Sequence, residues 1–94
     1  MFTMEELQAI DRNYFTVIFA DAYDVILISN NTRHIWYINN VQLTDRNLCL
    51  VYHKHHICHP YHKHFRCGTL RRAIKDIKYH NKFQLNGRKP VYKH

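Results

Sequence analysis

The chain has 94 residues, 46% of them hydrophobic, with two Gly, two Pro and a formal net charge of +7. It is long enough for one small domain, residues 1–94, with a modest core, since such a chain buries only about two thirds of its unfolded surface; its composition excludes a disordered tail or a Gly/Ser linker to a second domain. The charge is unevenly placed: residues 1–50 carry three basic and six acidic side chains, whereas residues 51–94 carry eleven basic ones against Asp76 alone, which points the second half at an acidic partner.

At the amino end, MFTMEELQAIDR is acidic and periodic rather than a basic leader, and no apolar run reaches the roughly 18 residues that cross a bilayer. The chain is therefore expected to stay in the cytoplasm where it is made. Thr3 followed by Glu6 makes a capping box, and Met4, Leu7 and Ile10 predict a short amphipathic helix over about 4–11. From Asn13 the period changes. NYFTVIFA (13–20), DVILIS (24–29) and HIWYIN (34–39) are rich in β-branched and aromatic residues, and Asp21-Ala22-Tyr23, Asn30-Asn31 and Asn39-Asn40 suit the turns between them. A fourth strand, LCLVYHKH (48–55), follows the polar break at 44–47, with Cys49 a buried thiol in its apolar run. The reading is an α+β fold: a short N-terminal helix and an antiparallel meander of four to five strands in 1–50, then a His/Cys-rich metal-binding hairpin, a basic amphipathic C-terminal helix and a tail in 51–94.

The hairpin region 52–67 reads YHKHHICHPYHKHFRC, in which Tyr-His-Lys-His-x-x-Cys occurs twice, nine positions apart. Three cysteines, an odd number set among histidines, suggest metal rather than a disulfide framework. Zinc takes four donors in a tetrahedron, and His55-x-x-Cys58 with His64-x-x-Cys67 would supply a structural Cys₂His₂ site, the thiols ionised by the metal and the nearby cations. A second arrangement stands beside it. If 48–55 and 61–66 pair as an antiparallel hairpin closed by HICHP, His53, His55, His62 and His64 point to one face, and His80 can swing in from the second helix.

Thr69 is a good N-cap, and Leu70, Ala73, Ile74 and Ile77 predict a helix that ends near Asn81. Its other face is basic: Arg71, Lys75, Lys78 and Lys82 fall at helical spacing with Arg72 beside them. Two arginines in the first turn oppose the positive end of the helix dipole, so local stability does not account for them and partner binding is expected. Asn86-Gly87 predicts a last hairpin turn before the basic tail RKPVYKH. For catalysis the chain offers little: no Ser/His/Asp grouping, no phosphate-binding Gly loop and no paired carboxylates. A ββα-metal nuclease would need an Asn between His53 and Asn81 to orient its base, and there is none. The chain reads as a binder, not an enzyme.

Residues 51–88, VYHKHHICHPYHKHFRCGTLRRAIKDIKYHNKFQLNGR, give the chain a resemblance to the small accessory proteins of Gram-positive phages. Among these it resembles the zinc-containing type II anti-CRISPR proteins, inhibitors of the RNA-guided DNA endonuclease. The resemblance implies a stoichiometric inhibitor acting in the cytoplasm of the bacterial host, with zinc fixing the hairpin. Arg71, Arg72, Lys75, Lys78 and Lys82 would meet an acidic patch of the nuclease or guide RNA; a basic half of this kind does not fit mimicry of DNA. The alternative is a small zinc-containing nucleic-acid-binding regulator, with the same helix along phosphates and Tyr52, Tyr61, Tyr79 or Trp36 stacking on bases.

Overall fold

The computed structural model describes residues 1–87, so the basic tail lies outside the described residues. The element order is α1 (Met4–Gln8), β1 (Phe15–Ala20), β2 (Asp24–Ser29), β3 (Ile35–Gln42), β4 (Asn47–Lys54), β5 (His62–Cys67) and α2 (Leu70–Leu85). The five strands form one antiparallel sheet in sequential order, and the fold is α+β.

Thr3 caps α1 as its sequence predicts: the Glu6 N–H donates to Thr3 Oγ1 at 3.1 Å, and the Thr3 N–H donates to the Glu6 carboxylate at 3.0 Å. The helix is shorter than its periodicity suggests. Asp11 accepts from the Asn13 N–H and the Arg12 guanidinium donates to the Ile10 carbonyl at 3.0 Å, so side chains rather than another helical turn satisfy the backbone there. Met4 is exposed, and Phe2 takes its expected place beside Ile10 in the core.

Alternation builds the inner face of the sheet. Val25, Leu27 and Ser29 of β2, Trp36 and Ile38 of β3, and Cys49, Val51 and His53 of β4 are all buried. Leu70, Ala73, Ile77 and Asn81 of α2 cover them, and each large apolar side chain buried this way contributes about 1.5–3 kcal/mol. Three predicted boundaries move. Asn39 and Asn40 lie within β3 instead of turning the chain, because the Asn39 amide donates to Asp24 Oδ1 at 2.9 Å and the Asn40 N–H to the Tyr23 carbonyl at 2.8 Å. The turn falls later, where the Leu43 N–H donates to the Arg46 carbonyl. At the far end, α2 runs a turn past Asn81. Asn86-Gly87 ends this helix rather than turning a hairpin: Gly87 adopts φ 67°, the left-handed geometry of a residue just beyond a helix, and the Asn86 N–H closes on the Lys82 carbonyl.

Asn81 is buried because it is the hub of a polar chain. Its amide donates to Ser29 Oγ at 2.8 Å and to the Tyr14 hydroxyl at 3.0 Å, and Ser29 Oγ also accepts from the Trp36 indole at 3.0 Å. These bonds fix the Trp36 ring against which the histidines pack.

Candidate metal centre

His53 ends the inward row Cys49, Val51, His53 of β4, and its cross-strand partners are Trp36 on β3 and His62 on β5. The register continues one step beyond β3, so that His34 comes alongside His55; their rings stack at 4.2 Å. On β5 the pairing shifts: Val51 faces Phe65 but Tyr52 faces Lys63, which leaves His64 as an extra, bulged residue. That bulge lets His62, His64 and Phe65 all turn toward α2, where strict alternation would turn His62 and His64 away whenever Phe65 faced the core. His64 then meets Trp36 edge-on at 5.3 Å and His80 of α2 at 4.4 Å.

His53 is the centre of this cluster. Only 2% of it is exposed, and its ring lies against Trp36 at 4.1 Å between centroids. Its Nε2 is 3.0 Å from His34 Nδ1. Two groups of three imidazoles share it: His34, His53 and His55, and His53, His62 and His64, each with ligand nitrogens within 4.8 Å of one another. His80 closes the cluster from above, 5.4 Å from His53. Burial, and then repulsion from His34, His64, His55 and His80, pushes the His53 pKa down to about 3. His64 is lowered as well, by burial and by His62. Both are therefore neutral at physiological pH, the form in which imidazole binds a metal. The cluster can hold a metal ion, and a surface hollow lined by Thr32, His34, His55 and His56 opens onto it.

Of the residues predicted for the site, His53, His55, His62 and His64 are gathered, and His80 joins them as expected. The thiols stand apart: neither triad of ligand atoms includes a cysteine. Cys58 is exposed in the turn between β4 and β5. Cys67 is the cross-strand partner of Cys49, four strand positions along β4 from His53, which is about 13 Å at the ordinary rise of a strand. The Cys67 thiol is held above its usual range, first by its hydrogen bond with Cys49 and then by burial, and it donates to the Thr69 carbonyl at 3.4 Å. His34 was not among the predicted ligands. The alternation His34, Trp36, Ile38 carried the signal, since it places His34 on the inner face.

The basic residues of α2 divide. Arg72 pairs with Asp76 at 3.2 Å, and Lys78 pairs with Asp11 at 3.3 Å while lying over the Tyr14 ring. Arg71, Lys75 and Lys82 are exposed, with no ion pair among the described residues. Trp36 is wholly buried and available to no base, whereas Tyr79 is exposed. No family model, curated protein or solved structure matches this chain.

Proposed function

We propose that the protein is a metal-stabilised interaction module, in which a zinc ion held by His53 and imidazoles of the two triads fixes the β4–β5 hairpin. The observation that carries this reading is a buried, neutral histidine shared by two triads of converging nitrogens. Zinc–nitrogen bonds of about 2.0–2.1 Å put tetrahedral donors about 3.3 Å apart; the His53–His34 pair stands at 3.0 Å, and the ligand atoms of each triad lie within 4.8 Å of one another. Imidazole ligands suit zinc, nickel and copper alike; zinc is preferred because it is redox-inert and tolerates whichever tetrahedron the rings provide. The structural role is assigned because His53 is buried against Trp36 and each triad joins β4 to a neighbouring segment of the sheet.

For the partner, the resemblance to phage inhibitors and the basic second half support an RNA-guided type II DNA nuclease, bound directly or through guide RNA, with Arg71, Lys75 and Lys82 as the free charges of α2. Two experiments separate these parts. Metal content after exhaustive dialysis against zinc is expected at about one equivalent per chain and far less for His53→Asn; equal content in both would discard the site. Target cleavage by a guide-loaded nuclease, titrated with zinc-loaded and chelated protein, is expected to stop near one-to-one only with zinc; cleavage unaffected by excess zinc-loaded protein would discard the partner and leave the metal site standing.

A further inference from the structure

The face of the sheet turned away from α2 has its own chemistry. Residues directly opposite across antiparallel strands share a face, so Tyr52 places its partners Tyr37 and Lys63 on this outer side, and Leu50 places Arg66 there. Ile26 pairs with Tyr37 and extends the same row onto β2. α2 buries Leu70, Ala73 and Ile77 in the core on the opposite side, and Leu7 of α1 packs against that same core, so neither helix covers this surface. The Tyr37 and Tyr52 rings stack at 5.5 Å with planes 21° apart, Tyr61 stands 5.8 Å from Tyr37, and Lys54 Nζ lies 4.2 Å from the centre of the Tyr61 ring. Lys63 and Arg66 are exposed along β5, which is an edge strand.

We propose that this outer face binds single-stranded nucleic acid, with bases stacking on the Tyr37–Tyr52–Tyr61 row and phosphates meeting Lys54, Lys63 and Arg66. Tyrosine rings on a sheet offer flat partners to any base, and cations along the edge strand track a sugar–phosphate chain. A protein partner fits less well, because protein interfaces are depleted in lysine, and here lysines sit among the aromatic rings. Asp24 is the one acidic side chain in the outer row of Asp24, Asn39, Leu50 and Arg66. Its carboxylate is engaged by the Tyr37 hydroxyl and by the Asn39 amide at 2.9 Å, so it anchors the end of the tyrosine row rather than facing the phosphate path. The surface is distinct from the cations of α2, which lie on the far side of the helix layer. It deepens the reading of the protein as an interaction module but needs no metal of its own, so its failure leaves the zinc site untouched.

The test is fluorescence anisotropy with labelled RNA and DNA oligonucleotides of about 12 nucleotides, single-stranded and as duplexes, using zinc-loaded full-length protein. Single strands of either kind are expected to bind in preference to duplex, with a log–log salt slope of about −2 from three phosphate contacts. Lys63→Glu with Arg66→Glu is expected to weaken binding by tenfold or more, as is Tyr52→Ala; the charge variants touch no buried residue and report even where Tyr52→Ala does not fold. Equal affinity for duplex, absence of binding at low salt, or loss of binding in Lys75→Glu/Lys82→Glu but not in Lys63→Glu/Arg66→Glu would overturn the proposal.

Discussion

At His53 the chemistry of the site and the stability of the fold meet in one ring. In the unfolded chain this imidazole takes up a proton at about pH 6.5, whereas in the folded protein burial and its neighbours delay protonation to about pH 3. Between those values the unfolded state binds more protons. The contribution is therefore fully favourable above about pH 6.5 and is lost as the pH falls, by up to about 1.4 kcal/mol per pH unit. Denaturant titrations of metal-free protein from pH 7 to 4 should show this slope, and His53→Asn should flatten it; equal slopes would mean that His53 is not held neutral. The cysteines make the opposite prediction. Cys58→Ser and Cys67→Ser, alone or together, should leave zinc stoichiometry unchanged, since neither thiol is among the converging ligand atoms. Cys67→Ser should cost stability through its half-buried contacts with Cys49 and the Thr69 carbonyl, on the order of 1 kcal/mol. Zinc lost with either thiol would restore the mixed His/Cys site suggested by the doubled His-x-x-Cys spacing.

The strands and helices were legible where local signals agreed with burial. The capping box at Thr3, the alternation of DVILIS and the Thr69 cap are read directly from the chain and appear in the structure. Signals that depend on distant partners were not. Asn39-Asn40 has turn chemistry, yet Asp24 of β2 and the carbonyl of Tyr23 just before it supply hydrogen-bond partners and keep both residues in the strand. Asn81 resembles a helix end, yet Ser29 and Tyr14 make it an interior residue. Asn81→Ala should thus destabilise the protein by about 1–3 kcal/mol, because it leaves buried polar groups short of a partner, while Thr69→Ala should cost about 1 kcal/mol through the lost cap. Thermal and denaturant unfolding measure both; an Asn81→Ala protein as stable as the parent would remove the polar hub from the account. The bulge at His64 was the least visible element. It arises from Phe65 seeking the core opposite Val51, and no spacing in the hairpin sequence announces it.

Over the whole molecule, one sheet separates two chemistries: a cluster of imidazoles centred on His53 on the side of α2, and a row of tyrosines with cations on the outer side. The uneven charge of the two halves of the chain was visible from the start, but its placement was not. Pairing of Lys78 with Asp11 and of Arg72 with Asp76 draws two cations of α2 into internal contacts, while strand alternation sends Lys63 and Arg66 to the opposite face. A metal ion gripping β4, β5 and their neighbours should tie these layers together, so zinc is expected to raise the melting temperature by several degrees and chelation to reverse it. The measurement that bears most directly on the central claim is X-ray absorption at the zinc edge of the loaded protein. A first shell of imidazole nitrogen alone at about 2.0 Å is the predicted result. A sulfur shell at about 2.3 Å would contradict it and return the cysteines to the site.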